Sequence, residues 1–596
     1  MDTSGEDSPF TKQDNVSFGV CALLVFLISS YCMYLRSTYS YWSKRGIKGP
    51  TPLPIVGNFL SFIIRDRWKL PKEWTKKYGK VYGIYQASTP RLIVGDAELL
   101  RQMTVKDFDA FPNHEVSDML NTYQKEFIFF LQDHRWKRVR SLLSPTFTSG
   151  KIKRMYQLLD TCADDLIGAF DEARSPRLDP RKRYKSSIPA CKQGVVNLKQ
   201  LFSLFTMDAI ATCCYGLKLK RDIGTTSLQA AASRNEFVRI TYKLFNFTWV
   251  RFLTAIVVPR LLLVRLGFTV SDVGDYAELI SVAEKLIATR RAQLSSKKVD
   301  DYMQILLEAS SDDKLELDEM DTLENHHAGL THESLIADQK VLLKQAMDID
   351  AEDAMIDSKK ANGNVDGVEG KGLSLNKKIA LTDSELMANV MFLLAVGLET
   401  TASLLTACVY ALAFYQDVQE RLCEELSKVA QWNEKRTELK FEYESITACR
   451  YLDAVISESL RYATPVVLTD RVSTRDYYIE KYNLHIPKGS KVQFDLYGVM
   501  NNQEYWPEPD KFNPDRFMPD QKEKIVPGSY CPFGMGPRHC LGMRFSLTES
   551  KLALAKLLMH FRFEPAPNTT FPPNSNGSTG LASLNNPFVR VIRRES

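Results

Sequence analysis

Cys540 stands in the run Cys531-Pro532-Phe533-Gly534-Met535-Gly536-Pro537-Arg538-His539-Cys540-Leu541-Gly542. The glycines permit positive φ and let a backbone approach a flat ligand closely, and the two prolines stiffen the turn. From Met543 to Leu558 apolar residues recur at helical spacing. Cys540 therefore lies at or just before a helix N-terminus, where free N–H groups and the helix dipole favour a thiolate. A thiolate in a stiff glycine-rich loop suits the axial position of a metal. The plain alternative for one of 11 cysteines is a buried small hydrophobe.

A second group sits mid-chain. Thr382 and Glu385 form a capping box before a run, Leu386 to Tyr415, that is apolar apart from Asn389, Glu399 and a few Ser and Thr. A carboxylate in the middle of such a helix is costly in lipid, which argues against a membrane span. Glu399 and Thr400 beside Gly397 suit proton delivery in a buried site. Elsewhere, Trp136 and Arg140 share one helix face, and Glu458 and Arg461 stand at i, i+3. By themselves these pairs also fit a solvated basic helix and an ordinary surface ion pair.

Phe533, Gly536, Arg538, Cys540 and Gly542 satisfy Phe-x-x-Gly-x-Arg-x-Cys-x-Gly. In this the chain resembles the cytochrome P450 family of haem-thiolate enzymes. The stretch from Trp136 to Lys151 resembles the steroid- and drug-oxidising branch, the third family. The resemblance implies a mainly α fold with a small β region. It implies haem b as cofactor, with Cys540 as axial thiolate and with Phe533, Arg538, Trp136, Arg140 and Arg471 around it. Trp136, Arg140 and Arg471 would bind the haem propionates. Glu399 and Thr400 match the oxygen-activation motif, and Glu458, Arg461 and Arg516 a buried structural triad under the haem. Two departures stand out. His114 replaces a usual arginine, implying a weaker, pH-dependent propionate contact. Val396 replaces a usual Ala or Gly and would narrow the space above the iron.

These residues need a scaffold, and composition allows one: 44% hydrophobic, 25% charged, net charge +5. That mild charge does not suggest a nucleic-acid partner, and no Cys-x-x-Cys or secreted disulfide pattern occurs. Residues 15–35 carry no charge and are followed by Arg36, Lys44, Arg45 and Lys48. This predicts one N-terminal transmembrane helix with the body on the cytosolic side. The acidic residues before it argue against a cleaved signal peptide. The expected division is 1–47, lumenal N-terminus and anchor, and 48–596, catalytic domain. The prolines of Gly49–Asn58 predict a stiff, extended hinge. Val81–Tyr85 and Arg91–Val94 read as strands. Polar insertions are expected near 175–193 and 310–372. An apolar aromatic segment, 244–266, suits an interfacial patch.

The function implied is a membrane-anchored monooxygenase of the endoplasmic reticulum, single-pass, on the cytosolic face. It would insert one oxygen atom from O2 into a lipophilic substrate. Its electrons would come from NADPH through cytochrome P450 reductase, with cytochrome b5 as a second partner. A haem-thiolate isomerase or lyase acting on a peroxide, and a non-catalytic haem or lipid binder, are the alternatives.

Overall fold

The computed structural model describes residues 9–174, 194–217, 260–269, 273–293, 301–310, 380–576 and 581–594, with 251, 254, 255 and 258 in addition. The expected insertion at 175–193, nearly all of 310–372 and most of 244–266 lie outside the described residues.

The chain enters through helix α1 (Pro9–Tyr39), whose 31 residues include the charge-free stretch. The proline-rich segment after it is not the expected extended hinge. Leu53 and Gly57 exchange backbone hydrogen bonds of 2.9 Å each way, reversing the chain. The Asn58 side chain then donates to the carbonyls of Pro50 and Thr51 and accepts from the Tyr85 N–H. Gly57 has φ +62°, and a Cβ there would meet the Tyr85 carbonyl at 2.4 Å. The prolines are tied down to strand β1 (Val81–Gln86).

Strand β1 pairs antiparallel with β2 (Thr89–Val94) through a turn at Ala87, whose φ is +51°. Helices α2 (Asp133–Leu143) and α3 (Ser149–Arg174) lead to β3 (Val195–Asn197) and α4 (Leu198–Tyr215). The long helix α5 (Asp383–Phe414) starts at the expected capping box: Thr382 Oγ1 accepts from Glu385 N–H, and Glu385 reaches back to Thr382 N–H. Arg138 of α2 pins Glu385 at 2.5 Å, so two distant helices meet at this cap. Among the described residues α5 is long and apolar enough to cross a membrane, but most of it is buried in the protein. It is the central core helix.

Helix α6 (Arg450–Tyr462) precedes strand β4 (Leu468–Val472), β5 (Lys491–Asp495) and the short α7 (Leu496–Met500). The order β1-β2-β5-β4 makes a four-stranded sheet, with β2 and β5 parallel and Arg471 opposite Val492. Helix α8 (Met543–His560) runs into β6 (Phe561–Pro565), which with β7 (Phe588–Arg593) and β3 forms a second sheet. Helices with a few small sheets match the expected mainly α fold.

Candidate active site

The glycine-rich loop is shaped by its neighbours. Gly534 and Gly536 have φ of +74° and +71°. A Cβ on Gly536 would lie 1.9 Å from the Thr104 carbonyl, so this glycine serves close packing against protein. The loop closes on itself through Cys540 N–H to Phe533 C=O at 2.8 Å and His539 N–H to Gly536 C=O at 3.0 Å. Gly542 caps α8, placing Cys540 two residues before the cap.

The Cys540 side chain is accessible, whereas Cys531 is buried. The helix start alone does not make Cys540 a thiolate, contrary to expectation. Although the side chain faces open space, the protein packed around that space desolvates it and raises its pKa, against the Gly542 N–H and Arg140, which pull it down. A bound cation would reverse that balance, because coordination deprotonates a thiol outright. Cys531, buried beside Asp495, is pushed up further. Phe533 is half-buried against the core.

Three arginines from three elements converge at the cysteine loop: Arg538 in the loop feels both Arg140 on α2 and Arg471 on β4. Arg140 lies close enough to Cys540 to feel its charge. Arg538 lies 4.1 Å over the Trp136 ring and donates to the carbonyls of Pro112 (2.9 Å) and Leu131 (2.7 Å). Arg471 Nη1 donates to the Asp470 carbonyl at 2.6 Å, while its buried Nε has no partner. Burial pushes Arg140 and Arg471 down to about 10. Burial and then repulsion from the other two push Arg538 down to about 8. All three remain cationic at neutral pH, and none is ion-paired to a carboxylate among the described residues. The cluster is electrostatically incomplete. A soft sulfur donor beside crowded guanidiniums fits a metal-bearing group with its own carboxylates, as haem b is.

His114 stacks on Phe129, ring centroids 3.9 Å apart, with Arg471 Nη1 3.1 Å from its Nε2 and Asp470 Oδ1 3.4 Å from its Nδ1. Burial, then Arg471, push it down to about 4. In the protein alone this favours the neutral ring.

On α5, Val396 is exposed, and Thr400 Oγ1 donates to the Val396 carbonyl at 3.1 Å. The Glu399 carboxylate accepts from Lys199 of α4, which also donates to Ser403 at 2.8 Å. A Cβ on Gly397 would meet Ile210 of α4 at 2.5 Å, so this glycine lets two helices close. Thr401 is buried and hydrogen-bonded to Ser546 of α8 at 3.1 Å, tying the long helix to the cysteine-bearing end of the chain. Lys199 and Ser546 were not singled out from sequence. The available signal for Lys199 was that α4 carries only one other charged residue, Asp208.

Glu458 and Arg461 meet as two parallel hydrogen bonds of 2.7 and 2.8 Å. Arg516 is looser: its Nε stands 3.6 Å from Glu458, and its Nη2 donates instead to the Glu508 carbonyl. The Asn513 N–H takes the remaining place on Glu458 at 2.9 Å. The triad is a tight pair with a third member at its edge.

Residues 47–590 match the family model described as Cytochrome P450. Cytochrome P450 3A5 of Homo sapiens is 30% identical over 574 residues, covering 96% of this chain and 95% of that protein. Cytochrome P450 3A7 of Homo sapiens is 31% identical, covering 92% of each. Cytochrome P450 3A6 of Oryctolagus cuniculus is 29% identical, covering 94% and 95%.

Proposed function

The chain belongs to the cytochrome P450 family and is a haem-thiolate monooxygenase, and on that premise we propose how its residues serve the reaction and where it works. Cys540 holds the iron. Arg140, Arg471, Arg538 and Trp136 hold the propionates, and Phe533 packs in the cysteine loop. Haem b with a thiolate ligand supplies O2 activation. The carrying observation is the accessible Cys540 with the unneutralised arginine cluster around it.

Val396 and Thr400 share one face of α5, with Val396 exposed and setting the width available to substrate. Glu399 and Thr400 serve proton delivery in a site that excludes bulk water. The substrate is a lipophilic small molecule, and electrons come from NADPH through a reductase, with cytochrome b5 as a second donor.

Helix α1 is the membrane anchor. Leu23, Val25, Phe26 and Met33 are all more than half exposed, which an apolar helix tolerates in lipid. The charge asymmetry around it supports a cytosolic catalytic domain at the endoplasmic reticulum. Leu262, Val264 and Leu266 are exposed in the part of the expected interfacial segment that is described. An isomerase acting on a peroxide would need neither O2 nor reductase, and the Glu399–Thr400 pair favours the monooxygenase. Product formation that depends strictly on NADPH and reductase supports this reading. Turnover of a peroxide substrate without either would overturn it.

A further inference from the structure

Lys199 is a half-buried cation that nothing in the proposed chemistry uses. It stands in the first turn of α4, just after Asn197, whose side chain caps the helix by accepting from the Gln200 N–H. Asn197 also ends β3 and pairs with Phe588, so the start of α4 is fixed by a sheet. From there the ammonium reaches across to α5 and holds Glu399 and Ser403, one turn apart on the same face. Among the described residues Glu399 ion-pairs with Lys199 alone, and the two side chains keep only 30% and 21% of their exposure. The helices are locked to each other on one side of this clasp, starting at the residue next to Glu399. Thr206 of α4 donates to the Leu398 carbonyl at 3.1 Å, and Tyr215 to the Val390 carbonyl at 2.7 Å. Gly397 lets Ile210 approach between them. Backbone movement is therefore a poor way to redirect Glu399, and the clasp on its carboxylate decides where it points.

We propose that Lys199 is a positioning residue: it fixes the Glu399 carboxylate in one direction beside Thr400, and proton delivery through Glu399 depends on that hold. This rests on the monooxygenase reading given above. Burial lowers the Lys199 pKa, against the attraction of Glu399. The groups against its ammonium are the Glu399 carboxylate and the Ser403 hydroxyl, so Lys199 itself is the titrating partner. Its proton is lost on the alkaline side earlier than an ordinary lysine loses it, and the hold on Glu399 goes with it.

The test uses the holoenzyme with reductase and compares Lys199→Arg, Lys199→Gln, Glu399→Gln and the double variant. Product formed per NADPH consumed is followed from neutral to alkaline pH. The wild type is expected to lose coupling on the alkaline side, below the usual lysine range. Lys199→Arg should keep coupling there, because arginine does not titrate. Lys199→Gln should be as poorly coupled as Glu399→Gln at every pH, and the double variant no worse than either. A Lys199→Gln enzyme coupled like the wild type would overturn the proposal, as would an alkaline limb that survives in Lys199→Arg. Thermal unfolding of the same four holoproteins gives a readout independent of turnover. The two single losses should exceed what the double variant loses, and strict additivity would also overturn the pairing. If Lys199→Gln does not fold, Lys199→Arg and Glu399→Gln still decide the alkaline limb. Absence of any NADPH-dependent product in the wild type would instead strike the monooxygenase reading, and the unfolding cycle would still report on the pair.

Discussion

Glu458 and Arg461 face each other as a bidentate pair with no solvent exposure on either side chain. Arg461 also donates to the carbonyls of Met500 (3.1 Å) and Pro509 (2.9 Å), so one guanidinium ties α6 to the end of α7 and to the segment that follows it. Removing one partner of a buried pair strands the other charge, at a cost of roughly 3–5 kcal/mol. Glu458→Ala is expected to lower the melting temperature steeply and to reduce the yield of folded protein. Arg516→Ala should be tolerated far better, because Arg516 is only the looser third member. Measured melting temperatures of the two variants check this order.

Gly536 and Gly542 predict opposite responses to a methyl group. Gly536→Ala adds a contact of 1.9 Å with the Thr104 carbonyl at a φ of +71°. Backbone strain alone costs on the order of 1–3 kcal/mol there, and the clash adds to it. Gly542 has φ −86°, and a methyl group added there would meet no heavy atom within 4 Å. Gly542→Ala is expected to fold with an unchanged melting temperature, and Gly536→Ala to lose the loop. Circular dichroism and thermal melts separate them.

Asp495 carries a pH dependence. It is fully buried, Oδ1 accepts from the Gly498 N–H at 2.7 Å, and Oδ2 has no partner. Burial, against the Gly498 bond, pushes it up from 3.8 to about 7. Between those values the folded chain keeps a proton that the unfolded chain has released. Stability therefore falls as pH rises through this window, by up to roughly 4 kcal/mol, and the loss is complete above it. Asp495→Asn keeps the acceptor for Gly498 and removes the titration. Its stability relative to wild type should improve from pH 4 to 7 and then level off. A difference independent of pH would contradict this.

The arginine cluster divides by role. Arg538 satisfies backbone carbonyls on the segment 112–131, so Arg538→Gln should destabilise the fold, on the order of 3 kcal/mol. Arg140 has fewer protein partners and acts chiefly as a charge. Arg140→Gln should leave the melting temperature of haem-free protein unchanged or higher and speed haem loss from the loaded protein. Haem transfer to an acceptor protein measures the second effect.

What was legible in the sequence is what neighbouring residues dictate. The cap at Thr382 and Glu385, the strand pair at Val81–Val94 and the helix after Gly542 are all local, and all are present. The cysteine loop was legible because glycine, proline and arginine spacing constrain one short turn. Contacts that join distant residues were not. Lys199 meets Glu399 across 200 positions, and Thr401 meets Ser546 across 145. Gly536 shows the limit well. Its need for a missing Cβ was readable, but the Thr104 carbonyl that imposes it was not. His114 stood out as a departure, yet its depressed pKa follows from burial, against Phe129, and from Arg471, which sequence spacing does not bring together.

The most direct measurement is the spectrum of reduced protein with carbon monoxide. Cys540 is accessible beside Arg140, and Cys531, nine residues earlier in the same loop, is buried with its thiol pushed well up. Wild type and Cys531→Ser are expected to show the red-shifted Soret band of a thiolate-ligated haem, and Cys540→Ser to lose it while still folded. Retention of that band in Cys540→Ser, or its loss in a folded Cys531→Ser, would contradict the assignment of Cys540 as the ligand.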